Sequence, residues 1–258
     1  MRRSALVTPS VTCYADHRKP YSLSLCNALA DGCGGQVVID WQARGNTGFI
    51  SGMAARQAAL MQPGVLPDWY QVDHGYWRRG EYYRISHKRL WCDGRGQPDF
   101  ARLDLLGVNV APTHTGGRHV LVAMQSPGFY QLWAGTSPVC FSERITKKVR
   151  QHTDRPIVFR QKPNRWGRLQ PIEVALRDAW LVITHSSAVA LDALAAGVPV
   201  IVTEATFCAA RLGTLWEQIE NPYRPTQDER RDLFARIAGH QWTLAEMSSG
   251  EVWERMKP

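Results

Sequence analysis

The chain has 258 residues, 44% of them hydrophobic, enough for one large domain or two small ones with separate cores. Mean hydropathy is −0.31 and no apolar run approaches bilayer-spanning length, so no transmembrane segment is expected. Thirty-one Lys and Arg against 23 Asp and Glu leave a formal charge of +8, which favours polyanionic partners such as nucleic acid, nucleotide phosphates or an anionic membrane without choosing among them.

The N-terminal MRRSALVTPSVTCYADH has no apolar core followed by a cleavage site, so a signal peptide is not expected and a cytoplasmic location is (the host cytoplasm, if phage-encoded). SALVTPSVTCY opens with a strand, SLSLCNALADG is a short helix ended by Gly32, and QVVIDW is a buried strand with Asp40 at its C-terminal end. GFISGMAARQAALMQPG is a strand or loop and then a helix stopped by Pro63-Gly64. The stretch PDWYQVDHGYWRRGEYYRISHKRLW is aromatic, basic and poor in aliphatics, and reads as a functional surface rather than a core element. GRGQPDFARLDLLGVNVAPTHTGGRH is turn-rich, and a domain boundary is placed near Pro112, dividing the chain into 1–112 and 113–258.

Beyond it, HVLVAMQSPG, RPIVFRQKP, WLVITHSS and VPVIVTE read as strands. Between them SERITKKVRQH, with a Ser N-cap candidate, PIEVALRDA and AVALDALAAG read as helices, the last closed by Gly197. Four strands alternating with three helices give the rhythm of a Rossmann-like half. The tail reads as two helices, with QWTLAEMSSGEVW connecting and forming the second. Six cysteines are scattered without a CxxC pair, so reduced thiols are expected rather than a disulfide framework or a metal site.

In an open parallel sheet, ligands bind at the carboxyl ends of the strands. Three such ends carry polar groups here: Gln125-Ser126, Arg160-Gln161-Lys162 and Thr184-His185-Ser186-Ser187. The third combines a strand, a polar turn and a helix start, where free backbone N–H groups and the helix dipole suit an anion. The bland alternative is an ordinary helix cap. Arg160 and Lys162 end the preceding strand, are expected beside the serines, and complete a phosphate cradle.

The segment from VFRQKP through LRDAWLVITHSSAVALDALAAGVPVIV to QWTLAEMSSGEVW resembles the nucleotide-sugar-binding half of capsule-polysaccharide glycosyltransferases, the Kdo-transferase and polysialyltransferase-related group with the GT-B fold. The matching features are an R-x-K/H-P strand end, an S-S-x-x-x-x-A turn and helix followed by G-x-P-V, and a late Q-W-T-x-x-E helix, over about residues 118–254. The resemblance implies two Rossmann-like domains in a GT-B-like arrangement. It also implies a UDP- or CMP-sugar donor with Arg160 and Lys162 on its phosphates, Ser186 and Ser187 on the nucleotide, His185 adjacent, no cofactor, and a C-terminal helix returning to the first domain. Two features depart from the family: Lys162-Pro163 stands where a basic–histidine pair is usual, and the chain is much shorter than the membrane-associated capsule enzymes. The sequence has no D-x-D triplet, which agrees with a metal-independent site where the helix dipole and basic side chains stabilise the leaving phosphate.

Transfer of a sugar to a hydroxyl needs a proton acceptor, and Asp16, His17, Asp40, Asp73 and His74 are candidates. Asp73 and His74 are favoured because they lie in the aromatic, basic stretch, although a plain surface turn explains each equally well. Tyr76, Trp77, Arg78, Arg79 and Arg84 are the expected acceptor-binding residues. Cations neutralising phosphates and aromatics stacking on an extruded base fit a DNA-modifying glycosyltransferase of the compact bacteriophage kind, acting on a hydroxymethylated base. A saccharide acceptor is the main competitor. A sugar-nucleotide epimerase and a non-catalytic nucleic-acid-binding protein remain as other classes.

Overall fold

The computed structural model describes residues 11–162 and 170–256. The chain forms two compact units. One runs through Cys92 and resumes at His240; the other is Asp93–Gly239.

The first unit opens with β1 (Val11–Tyr14), α1 (Pro20–Cys33), β2 (Gln36–Val38), β3 (Thr47–Ser51) and α2 (Ala55–Leu60). Then come β4 (Asp68–His74) and β5 (Tyr82–His87). α1 starts with proline, where the missing N–H costs nothing, and is closed by Gly34 in the left-handed region at φ 65°. Gly32, expected to end this helix, lies inside it.

β2, β1, β3 and β4 run parallel in that spatial order, and β5 turns back antiparallel to β4 in a register that pairs Asp73 with Arg84 and His74 with Tyr83. The strands of the aromatic, basic stretch are therefore part of the core, while residues 78–81 and 87–89 stay exposed. Tyr70, Val72, Tyr83 and Ile85 are buried in the main cluster of this unit with Leu25, Leu29 and Phe49. Each such side chain contributes about 1.5–3 kcal/mol on burial, which outweighs the weak aliphatic content of the segment.

In the second unit the chain forms α3 (Phe100–Leu106), β6 (His119–Ala123), α4 (Pro127–Trp133), α5 (Pro138–Arg150) and β7 (Ile157–Arg160). It continues through α6 (Ile172–Leu176), β8 (Ala179–Thr184), α7 (Val189–Ala195), β9 (Val200–Val202) and α8 (Gln227–Ala238). Ser137, not Ser142, caps α5, and Phe141, Ile145 and Val149 form its buried stripe. The four strands are all parallel in the order β7-β6-β8-β9.

The units divide near Cys92 where the sequence suggested Pro112. The cause is packing: α3 lies on α8, the Asp99 N–H donates to Ala235 O (3.0 Å), and the Ala111 and His114 N–H groups donate to Ala195 O and Gly197 O (2.8 and 3.0 Å). The buried Arg230 of α8 ties its own helix to α7, donating from Nη1 to Leu194 O (2.7 Å) and from Nε to Pro225 O and Thr226 O.

The chain then returns to the first unit as β10 (Gln241–Thr243), α9 (Leu244–Ser248) and α10 (Glu251–Met256). The segment read as helical thus begins as a strand, paired antiparallel with β5, which makes the sheet order β10-β5-β4-β3-β1-β2. α9 packs on α1 so closely that a Cβ on Gly32 would stand 1.9 Å from Met247 O. Among the described residues no helix is long and apolar enough to cross a membrane.

The parallel strands follow the same order in both units, β2-β1-β3-β4 and β7-β6-β8-β9. The direction of the crossovers reverses between β1 and β3 in one and between β6 and β8 in the other. Ligands of doubly wound sheets sit outside the carboxyl ends of strands at such a reversal.

Candidate functional site

In the second unit the reversal brings together the ends of β6 and β8. After β6 the Gln125 N–H donates to Tyr130 Oη (3.2 Å), and Ser126 caps α4 by accepting from the Phe129 N–H at 3.3 Å. After β8 Thr184 donates to Ala123 O (2.9 Å), which locks the two strand ends together, and Gln125 Nε2 lies 3.5 Å from Ser186 Oγ. The His185 ring packs against Phe129 and Phe141, with Nδ1 3.1 Å from Ser186 Oγ. Ser187 Oγ accepts from the N–H of Val189, the first residue of α7, at 3.3 Å. Burial pushes the His185 imidazole below its ordinary value, opposed by the Glu204 carboxylate and reinforced by Arg144. Gln125, His185 and Ser186 are thus linked at the ends of β6 and β8, with Ser126 and Ser187 next to them in the chain.

Arg160 is placed differently from the expectation. β6 lies between β7 and β8, so Arg160 is two strands, roughly 10 Å, from the serine turn and pairs in register with Ala123. Its guanidinium donates to Gln170 O at 2.9 Å. Lys162 is exposed just beyond the strand, and Pro163 of the R-x-K-P motif lies outside the described residues. The cation near His185 is instead Arg144 of α5, whose guanidinium stands over the Phe141 ring. In the sequence Arg144 stands one position before Ile145, which α5 buries.

In the first unit the carboxyl ends of β1, β3 and β4 carry a second polar cluster. The Asp16 N–H donates to Ser22 Oγ, which donates to Ser51 Oγ (2.9 and 2.8 Å). Hydrogen bonds from Arg18 hold the buried Asp16 carboxyl below the usual range, so Asp16 is bound up in its own turn. His17 is exposed, and Asp40 is exposed and paired with Arg44. Asp73 accepts from the His74 N–H at 2.8 Å, and its Oδ2 lies 3.5 Å from Arg84. The His74 ring sits between Tyr21 (4.3 Å between centroids) and Tyr83 (5.6 Å). Burial lowers its pKa against the pull of Asp73, with Arg79, Lys19 and Arg84 lowering it further. Burial beside Asp73 and Asp16 pushes the Tyr21 hydroxyl up to about 12.

Because His74 Nδ1 is buried without a hydrogen-bond partner, a neutral ring keeps its proton on Nε2.

The expected acceptor residues divide between the interior and the surface of the first unit. Arg84 is buried and donates to Gln71 Oε1 (2.8 Å) and Leu90 O (2.7 Å), with Tyr76 beneath its guanidinium. Tyr76 Oη accepts from the Cys92 N–H. Arg78 is exposed but paired with Glu81 at 2.7 Å, Arg79 is exposed, and Trp77 is half-buried. Among the described residues no group of His, Cys, Asp and Glu is arranged to hold a metal ion.

Three histidines, His74, His119 and His185, are each held below the ordinary value by burial. The unfolded chain therefore binds more protons than the folded one just below pH 6.5, so stability present at higher pH is lost as the pH falls through their folded values. The lowered carboxyls of Asp16, Asp178, Glu220 and Glu229 act in the same direction, but only in a more acidic window. The urea midpoint is expected to fall between pH 7.5 and 5.5; an unchanged or higher midpoint at pH 5.5 contradicts this assignment.

No family model matches the sequence, and no curated protein matches it. Solved structures that share the fold include two Kdo transferases. Thermosulfurimonas dismutans KpsC, β-Kdo 2,7 transferase, aligns at TM-score 0.53 and 12% identity over 95% of this chain and 99% of that one. Thermosulfurimonas dismutans KpsC, β-Kdo 2,4 transferase, aligns at TM-score 0.52 and 15% identity over 89% and 90%. At these identities the likeness is one of fold.

Proposed function

We propose that this chain is a metal-independent GT-B-type glycosyltransferase that moves a sugar from a nucleotide sugar, UDP- or CMP-linked, to a hydroxyl of a saccharide. The observation that carries the reading is the cluster of Gln125, Ser126, His185, Ser186 and Ser187 at the crossover reversal of the second parallel sheet. The fold shared with two Kdo transferases supports it.

In this reading the backbone N–H groups and hydroxyls of the serine turn hold the donor phosphates. Arg144, the cation near His185, offsets the charge that develops on the leaving oxygen. Asp73 takes the proton of the acceptor hydroxyl. The acceptor oxygen bonds to the anomeric carbon, and the bond from that carbon to the phosphate oxygen breaks with its electron pair going to the nucleotide. His74 donates from Nε2 to a substrate oxygen beside Asp73.

A saccharide fits better than DNA, because Tyr76 and Arg84, two of the residues expected to stack on a base and grip a backbone, are engaged inside the first unit. The test is a thermal-shift series with UDP-, CMP- and GDP-sugars, followed by mass analysis of saccharide and hydroxymethylated-DNA acceptors with any donor that binds. Stabilisation by none of the donors sinks the reading, and mass gained by DNA alone sinks the saccharide assignment.

A further inference from the structure

The last strand of the chain reaches the segment that carries Asp73 and His74. Gln241 opens β10 and is fully buried. It pairs in register with Arg84, which pairs in register with Asp73, so three strands place the three residues in one row. The Gln241 side chain extends past this row to the turn that leaves β4. Its Oε1 accepts from the backbone N–H of Tyr76 at 2.5 Å and of Trp77 at 3.3 Å.

Gly75, directly after His74, is what lets the amide come so close. A Cβ there would stand 2.6 Å from Gln241 Oε1 and 2.9 Å from Tyr82 O. The Gly75 N–H donates to Tyr82 O (2.8 Å), the last bond of the hairpin before the chain departs from the sheet. Beyond that point the N–H groups of Tyr76 and Trp77 share one acceptor oxygen, supplied by a residue 164 or more positions later in the sequence.

We propose that Gln241 is a positioning residue: by taking two backbone N–H groups of the turn after His74, the C-terminal strand fixes where Asp73 and His74 stand at the end of β4. The proposal rests on the reading of Asp73 as the proton acceptor. The physical reason is that a half-buried turn cannot leave two N–H groups without an acceptor, so the turn goes where the amide oxygen is. Tyr76 is held by the same turn, and its ring lies under Arg84, which contacts Asp73 from the other side. The brace therefore acts on the carboxylate through Arg84 and on the imidazole through the backbone.

Two variants of the full chain test this. Gln241→Met keeps length and removes the acceptor; Gln241→Glu keeps an acceptor oxygen. Amide exchange of Tyr76 and Trp77 and the proton titration of His74 are followed by NMR without any sugar donor, and transfer is assayed separately. The charged and titratable groups near the His74 ring are Asp73 and Arg84 on the hairpin, Arg79 in the turn, Lys19 and Tyr21 at the start of α1, and Tyr83 on β5.

In Gln241→Met the two amides are expected to exchange at least about tenfold faster, and the His74 titration to move up toward the ordinary histidine value as water enters. kcat is expected to fall roughly 10- to 100-fold with donor KM unchanged. Gln241→Glu is expected to retain amide protection and to keep kcat within a few-fold of the parent. A merely structural role would lower the melting temperature and leave the His74 titration and kcat in place, which overturns the proposal. If Gln241→Met does not fold, Gln241→Glu decides: protected amides with kcat as low as in an Asp73 variant also overturn it. If amides and titration respond as expected while the parent transfers no sugar, the glycosyltransferase reading fails and the brace stands.

Discussion

An Asp73→Asn protein is expected to bind its sugar nucleotide as tightly as the parent and to transfer at least about 100-fold more slowly, the loss typical when a positioned proton acceptor is removed. The substitution is conservative where the fold is concerned. The amide oxygen can still accept from the His74 N–H, now at 2.8 Å, and Arg84 retains Gln71 Oε1 and Leu90 O. What disappears is the carboxylate that takes the acceptor proton. The donor residues belong to the other unit and are untouched, so donor KM should stay constant while kcat falls. A His74→Ala protein should lose less, about tenfold, because it gives up one hydrogen-bond donor rather than the base. Steady-state kinetics of both variants check this. Asp73→Asn within threefold of the parent, or His74→Ala the more damaged, would assign the proton transfer elsewhere.

The largest stability effect is expected at Gly32. An alanine there would put its Cβ 1.9 Å from Met247 O and 3.0 Å from the Gly250 nitrogen, backbone atoms that cannot swing aside as a flexible side chain would. α1 and α9 would have to separate. Overpacking typically costs about 1–3 kcal/mol, and a clash between main chains belongs at or above the top of that range. Gly34→Ala meets nothing within 4 Å and strains only a left-handed φ of 65°, which costs about 1–2 kcal/mol. Urea unfolding of the two variants should therefore place Gly32→Ala well below Gly34→Ala. Equal midpoints would show that α9 does not pack on α1 as described.

The difference between these glycines shows what the sequence conveys and what it withholds. A glycine near the end of an apolar run looks like a helix stop, and Gly32 and Gly34 are both candidates; only the return of residues 244–250 from the far end of the chain separates them. The serine turn was legible because a buried parallel strand reads as an unbroken apolar run and its exit is marked by Thr, His and Ser. The spatial order of strands was not legible, since nothing local states that β6 lies between β7 and β8, and Arg160 was accordingly placed too near the serines. The β4–β5 hairpin was missed because its core is built of Tyr70, Tyr82, Tyr83 and Arg84, residue types that also mark binding surfaces. β10 spans only Gln241–Thr243, too short for any periodicity to declare it a strand, and Gln241 gains its role solely through its partners.

If the serine turn of the second unit holds the phosphates of a sugar nucleotide, thermal denaturation of the full chain with UDP-, CMP- and GDP-sugars reads that binding as a gain in stability. A ligand at 100 times its dissociation constant adds about 2.7 kcal/mol to the stability of the form that binds it, a shift that such melting curves resolve. At least one donor at millimolar concentration is expected to raise the melting temperature, and the rise is expected to vanish when Ser186 and Ser187 are both replaced by alanine. No stabilisation by any of the three classes, or a shift of equal size in the double variant, would show that the serine turn does not hold the donor phosphates.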